Sequence, residues 1–447
     1  MSEQLLLELV SDDTAVAQNA LAQINEVNDI RFVPALIDLY WMGLVGLNEW
    51  SSSAQVIDSL EQLSGEQLGD DWSAWVVWYS QTEIEPPSGY INWKGDLFGK
   101  IDPTFADFFI DPVADSFRPG EIVYGGVVVD GIPALNSSEQ VPATASHGTF
   151  SWEPVFGVSL NGDSRAYPLR IMDWHEMAND VIGGVPVSIA YCTLCGAAIA
   201  YEARLEDGTP LDFGSSGLLY RSNKLMYDRQ TRSIWNQLTG EPVMGPALNR
   251  SERLDLVPIT LTTWAEWLEM HPNSTILSED TGYIRDYISG AAYGDYFVDD
   301  GTLFPVTFND SILDAKDQIY GLVISGMPIA YPVHLLAEAK VLNDTVNSQD
   351  IVLVTAESLV QVQAFSHSEG DYTYQAGAQV RAYERADFQF KASDAPDQLL
   401  DQNGQLWQVR EHELMSEDGV SLKRINGHLS FWFGWSGFYT DTAVYAP

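Results

Sequence analysis

The sequence predicts an α+β protein: an N-terminal, HEAT-like helical segment followed by two β-rich lobes related by internal duplication. Three observations lead there. Residues 2–82 carry apolar side chains at three- and four-residue spacing, as in Leu5, Leu6, Leu9 and Val10 and again in Val16, Ala20, Leu21 and Ile24, which places them on one face of a helix. Beyond residue 124, short apolar runs alternate with glycine and Asn-Asp turns, the pattern of antiparallel strands. Finally, Phe156–Tyr201 aligns without a gap on Tyr320–Phe365. Gly157, Gly162, Ala166, Tyr167, Pro168, Asn179 and Asp180 recur as Gly321, Gly326, Ala330, Tyr331, Pro332, Asn343 and Asp344, and LTTWAEW (Leu261–Trp267) recurs as LSFWFGW (Leu429–Trp435).

Taken in order, RFVPALIDLY (Arg31–Tyr40) predicts a helix with Pro34 near its start, where a missing N–H costs little. Ala54–Leu63 continues the helical pattern, and EIEPPSGY (Glu83–Tyr90) reads as a linker. The expected organisation is a helical cap over 1–82, a linker and lead-in over 83–124, a first lobe over 125–290 and a second, degenerate lobe over 291–447. Each lobe should run strand, glycine turn, strand, short helix, strand, then further strands.

The chain has 447 residues, with 63 acidic against 22 basic side chains and a formal charge of −41. Its aromatic-rich, 45% apolar composition is that of a globular protein. The acidic excess argues against nucleic acid as a partner, because a phosphate backbone repels such a surface. No basic residue precedes an apolar core at the N-terminus and no run of about 18 apolar residues occurs, so the expectation is a cytoplasmic protein without membrane insertion. The oligomeric state is open. Two cysteines exclude a disulfide-dense secreted scaffold.

The repeat serves as an internal control. Features of both copies concern folding; features of one copy are candidates for chemistry. Trp174, His175 and Glu176 face Glu338, Ala339 and Lys340, while Cys192 and Cys195 face Ala356 and Leu359. YCTLCG (Tyr191–Gly196) is the strongest signal. A Cys-x-x-Cys-Gly turn directs two thiolates at one metal ion, and its glycine permits the tight bend. With a single such turn, further ligands must come from elsewhere, and His175 and His147 are the candidates. Two thiolates and an imidazole suit one transition-metal ion, copper, zinc or iron. A redox-active disulfide and an inert structural pair are the alternatives.

A second signal is FGSSGLLYRSNKLMYDRQTRSIWNQ (Phe213–Gln237). Gly214 to Gly217 read as a flexible turn, and Arg221, Lys224 and Arg229 as a pocket for an anionic group, with salt-bridging inside a sheet as the competing reading. Glu176 and Asp228 are the candidate proton donors and acceptors. No Walker loop, Rossmann fingerprint, serine-hydrolase elbow or His-Glu-x-x-His motif occurs.

The motifs YGGVVVDGIPAL, RAYPLRIMDWHEMAND, YCTLCGAAIAY, FGSSGLLYRSNKLMYDRQT, SIWNQLTGEPVMGP and TGYIRDY resemble the prokaryotic family called domain of unknown function 3179, over most of the chain from Glu85 onward. The resemblance implies that Trp174, His175, Glu176, Cys192 and Cys195 belong to one site; it implies no particular reaction. The expected function is that of a metal-thiolate enzyme, an oxidoreductase acting on a small molecule. The alternatives are a thiol–disulfide redox protein and a non-catalytic metal-binding scaffold.

Overall fold

The computed structural model describes residues 2–47, 54–146, 148–251, 253–308, 311–366 and 370–446. The chain is α+β and divides into two compact units. The first comprises Met1–Ile132, Leu205–Arg253 and Leu303–Phe308, and the second Pro133–Arg204, Leu254–Thr302 and Asn309–Pro447. These units cut across the boundaries expected at 82, 124 and 290. Strand Phe213–Tyr220 pairs antiparallel with Ile122–Tyr124, so backbone hydrogen bonding draws a stretch of the expected first lobe to the N-terminal segment, and the lead-in supplies an edge strand.

In the first unit, helices span Ser2–Leu9, Thr14–Val27, Val33–Leu44, Ala54–Ser64, Trp72–Ser80 and Tyr90–Gly99. Local chemistry sets their ends. Asp13 and Asp71 cap N-termini by accepting from the amides of Ala15 and Ala74, and Asn28 closes a C-terminus in the left-handed conformation. Pro34 sits in the first turn of its helix, as predicted. Between helices, the fully buried Lys94 amine donates to Asp38 (2.9 Å) and to the carbonyls of Pro119 (3.0 Å) and Ile122 (2.7 Å). Each ammonium proton thus meets an acceptor, as a buried cation requires.

The sheet of this unit runs, in spatial order, Ile122–Tyr124, Phe213–Tyr220, Asn223–Asp228, Ile234–Asn236 and Pro242–Met244. The expected flexible turn at Gly214–Gly217 is instead interior to a wholly buried strand. The bend falls at Arg221–Ser222: Tyr220 pairs with Asn223, and both turn residues have positive φ (50° and 59°), the geometry that matches strand twist in a two-residue hairpin.

In the second unit, one architecture occurs twice. Strands Thr260–Thr263, Pro154–Leu160, Asp163–Pro168 and Thr275–Leu277 form a sheet in which the third and fourth strands are parallel, with Gln140–Pro142 added antiparallel at the edge. Gly427–Phe431, Gln318–Ile324, Met327–Pro332 and Ala443–Val444 repeat that order and those orientations. A seven-residue helix follows each central hairpin, Leu169–His175 in one case and Val333–Ala339 in the other. The shared residues explain themselves. Tyr167 donates to Asp180 (2.7 Å) and Tyr331 to Asp344 (2.8 Å). Trp267 and Trp435 each donate an indole N–H to a hydroxyl, that of Ser274 (2.7 Å) and Thr442 (2.9 Å).

Gly157 and Gly321 leave room for those indoles, since a Cβ on either would lie 2.3 Å from the ring of Trp267 or Trp435. Both rings are buried and held by hydrogen bonds, so they cannot withdraw. Gly157→Ala and Gly321→Ala are each expected to destabilise the protein by about 1–3 kcal/mol through overpacking, measured by chemical denaturation. Gly162→Ala, where a Cβ meets nothing within 4 Å but φ is +83°, separates backbone strain from the steric effect.

The two copies differ in their edge strands and, most directly for the site, at the Cys turn. In the first, strands Val185–Cys192 and Ala197–Glu202 stop at the Cys turn, with Cys192 opposite Ala197. In the second, strands Gln349–Ser366 and Gly370–Glu384 continue past a bulge after Thr355, as far as Ser366 opposite Gly370. This longer arm is not wasted on solvent. Val360, Val362, Ala364 and Tyr374 share one buried core with Phe156, Tyr167, Ile189 and Tyr191, so the second copy covers the first.

Candidate redox site in the second unit

The Cys turn is built by its neighbours. Cys192 ends a strand, and Cys195 N–H donates to the Cys192 carbonyl (3.1 Å). The Phe431 amide donates to the Cys195 carbonyl (2.7 Å), and the Tyr296 hydroxyl to the Leu194 carbonyl (2.6 Å). Gly196 has φ of +60°, and a Cβ there would stand 3.2 Å from the Phe431 ring; glycine serves both the bend and the close approach. Cys192 and Cys195 are joined as a disulfide with Cα atoms 5.3 Å apart, and they are 2% and 0% exposed.

The turn borders a cavity of about 330 Å³, lined by Tyr191, Thr193, Gly196, Phe297, Tyr374 and Phe431 together with charged residues that include Asp299, Lys316 and Asp317. The rings of Phe297 and Tyr374 stack at 4.3 Å. At the rim, the Lys316 amine lies 3.5 Å from the centre of the Tyr296 ring and donates to the Asp299 carbonyl (2.6 Å).

A buried acid adjoins the turn. Asp173 is fully enclosed, and burial, reinforced by the neighbouring Glu176, raises its pKa well above the carboxylate range against a hydrogen bond from Tyr191. Its Oδ1 has no hydrogen-bond partner among the described residues. Glu176 caps its helix in the left-handed conformation (φ 55°) and accepts from the Tyr293 hydroxyl (2.8 Å). Burial, with Asp173 and Glu176 close by, pushes the Tyr191 phenol well above its ordinary value.

The expected ligand set is not brought together. His175 turns its ring to other partners: Nδ1 to the Pro133 carbonyl (2.8 Å) and Nε2 to the Tyr287 hydroxyl (2.6 Å). The sulfurs are bonded to each other, so neither offers a thiolate. Among the described residues, no group of three or more His, Cys, Asp and Glu side chains is placed to hold a metal ion. His147 lies outside the described residues.

The other expected site residues belong to the first unit, where local partners engage them. Arg221 makes a two-pronged pair with Glu121 (2.7 and 3.3 Å). Arg229 does the same with Asp130 (2.8 and 2.9 Å). Lys224 is buried within its strand. Asp228 is a turn-former, accepting from the Thr231 amide and hydroxyl (2.5 Å each) and from the Trp235 indole (2.8 Å). Salt-bridging around the sheet accounts for the two arginines, so the expected anion pocket and the acid–base role of Asp228 lose their free groups.

Sequence reasoning passed over Asp173 and Tyr293, and it gave Tyr287 no role although TGYIRDY was among its motifs. Asp173 was within reach: it faces Ala337 in the second copy, the same asymmetry that singled out His175. Nothing in the spacing shows that Tyr287 and Tyr293 meet the WHE helix, because His175 and Glu176 lie more than a hundred residues away.

Fold and site together define an α+β protein with a buried Cys-x-x-Cys disulfide at a turn that borders a cavity of mixed aromatic and polar lining. The chain belongs to the family described as "Protein of unknown function (DUF3179)", which matches residues 129–442. No curated protein and no solved structure matches it. Among the described residues, no helix is long and apolar enough to cross a membrane.

Proposed function

We propose that Cys192 and Cys195 act as a dithiol–disulfide couple that exchanges two electrons with a small-molecule thiol or disulfide entering the cavity. The observation that carries this reading is the bonded pair at a turn whose Thr193 and Gly196 line that cavity. In the reducing direction a substrate thiolate attacks the Cys192 sulfur, the Cys192–Cys195 bond breaks, and Cys195 leaves as a thiolate and takes up a proton. A second substrate thiolate then attacks the mixed disulfide and releases the substrate disulfide and the Cys192 thiolate, which is protonated in turn. Asp173, whose pKa burial raises well above the carboxylate range and which is hydrogen-bonded to the residue preceding Cys192, would supply the proton that the departing thiolate takes up.

The metal-thiolate oxidoreductase with copper, zinc or iron requires the reduced pair and a donor in place of His175. One experiment separates the two. The native protein is equilibrated in glutathione buffers of graded potential, alkylated and weighed, while its metal content is measured at each step. The expected result is reversible, joint conversion of both cysteines without metal uptake, lost in Cys192→Ser and Cys195→Ser. Failure to reduce the native pair overturns the redox reading. About one equivalent of metal, as a single thiolate site would hold, retained by the reduced protein and lost in Cys192→Ala transfers the site to metal chemistry.

The matched strand orders, tyrosine–aspartate pairs and indole-over-glycine contacts of the second unit support its origin by internal duplication, with chemistry kept in one copy. The helical segment is read as a packing cap rather than a partner-binding HEAT-type solenoid, because its helices bury their apolar faces on one another.

A further inference from the structure

The redox reading leaves two motifs unused, WHE at Trp174–Glu176 and TGYIRDY at Thr281–Tyr287, and the structure joins them. The Trp174 indole donates to the Asp286 carbonyl (2.6 Å), and the Arg285 guanidinium lies 5.9 Å from the Trp174 ring. The Pro133 carbonyl can only accept, so His175 carries its proton on Nδ1 and presents a lone pair at Nε2. Tyr287 therefore donates to Nε2 (2.6 Å), and with its one proton spent it accepts from the Thr281 hydroxyl (2.6 Å). Burial, with Arg285 nearby, holds the His175 pKa below its ordinary value and keeps the ring neutral. The phenol is thus aimed by a fixed chain rather than left to rotate.

Tyr287 lines a second cavity, of about 400 Å³, together with Arg285, Asp286, Glu279, Phe150 and Trp152. Phe150 and Trp152 stack face to face, 5.1 Å apart with planes 5° from parallel, yet remain 59% and 38% exposed. A stacked aromatic pair left to water marks a contact surface. Arg285 makes no ion pair among the described residues in a chain of charge −41. The wall therefore offers the outer face of an aromatic stack, the carboxylates of Asp286 and of Glu279, the latter paired with Arg170, and the Arg285 guanidinium side by side. A wholly apolar ligand would strip water from the carboxylates without replacing it, and a polyanion would meet Glu153, Glu279 and Asp286 against Arg285 and an Arg170 already paired with two of them. A ring with one C–H face and hydroxyls around its edge satisfies every part.

We infer that this cavity is a carbohydrate-binding site, in which a neutral pyranose stacks on an outer face of the Phe150–Trp152 pair and its hydroxyls bond to Glu279, Asp286, Arg285 and Tyr287. The test uses the full chain and a panel of neutral sugars: glucose, galactose, N-acetylglucosamine, maltose and cellobiose. Saturation-transfer NMR detects contact, and calorimetry measures affinity. At least one sugar is expected to bind, with magnetisation transferred most strongly to its ring C–H face. Affinity should fall about tenfold or more in Trp152→Ala, an exposed position that leaves the fold intact, and also in Tyr287→Phe, while the Cys192–Cys195 redox equilibrium stays unchanged. Absence of binding to every sugar in the panel, or equal binding by Trp152→Ala, overturns the assignment.

Discussion

Glu411→Ala is expected to destabilise the second unit by about 3–5 kcal/mol, the cost of leaving buried charge uncompensated. Glu411 is enclosed and receives Arg381 through Nε (2.9 Å) and Nη2 (2.5 Å), Arg424 through Nη1 (2.5 Å) and the Thr260 hydroxyl (2.9 Å). The Arg381 and Arg424 side chains are themselves buried, so removing the carboxylate leaves Arg381 without its ion-pair partner and Arg424 to the Glu411 and Ile259 carbonyls and the Thr260 hydroxyl. Thr260 belongs to the first copy of the repeated architecture and the arginines to the second, which makes this cluster a tie between them. Urea denaturation of wild type and variant at pH 7 measures the loss, and a change below about 1 kcal/mol would mean that the arginines find other partners.

The pH dependence of the same residue has a definite sign. Burial alone, its largest single influence, would raise the pKa of Glu411, but Arg381, His271 and Arg424 outweigh it and hold the carboxyl well below the usual range. A folded-state pKa below the unfolded value near 4.3 adds stability above about pH 4.3, and that stability is lost as pH falls through the folded value. Glu411→Gln should therefore flatten the acid limb of the stability curve and leave its neutral-to-alkaline shape unaltered.

Asp173→Asn is expected to work in the opposite direction, stabilising the protein at neutral pH. Burial, reinforced by Glu176, raises the folded-state pKa of Asp173 well above the ordinary value. The contribution is fully present below the unfolded pKa near 4 and is lost as pH rises through the folded one, at about 1.4 kcal/mol per pH unit. Asparagine keeps the shape and has no proton to lose, so the variant should gain on wild type steadily from pH 4 upward and match it below. Thermal melts from pH 3.5 to 8.5 measure the difference, and parallel curves would show that Asp173 titrates normally. If Asp173 also supplies the proton in disulfide reduction, the same variant slows reduction of the pair by a thiol at neutral pH while leaving its equilibrium potential nearly unchanged.

Much of this architecture was legible from residue order. Helix starts at Asp13 and Asp71 and the first-turn Pro34 follow from chemistry within four residues. The repeated glycines, Tyr-Pro pairs and tryptophans announced equivalent positions because each pair solves the same local problem, an indole lying on a bare backbone. The Cys turn was equally visible, since a glycine between two apolar runs leaves few conformations.

The partners of the candidate residues were not legible. His175 was expected at the sulfurs because it is near them in sequence, but helix Leu169–His175 directs its ring to Tyr287, 112 residues away. Arg221 and Arg229 looked like ligand-holders in an acid-rich chain; Glu121 and Asp130, about a hundred residues earlier, neutralise them. By itself the sequence determined the helical and β-rich character of the successive segments, the first-turn proline and the Cys turn, and which copy of the repeated architecture carries the WHE and Cys residues, but not the strand through Gly214–Gly217. Only the tertiary structure decided which groups meet, which cavity each motif serves, and that the arm of one copy covers the other. The reason is physical: periodicity and capping are short-range and act within a few residues, whereas the direction of a side chain and the burial that shifts its pKa depend on surfaces contributed by chain segments far apart in sequence.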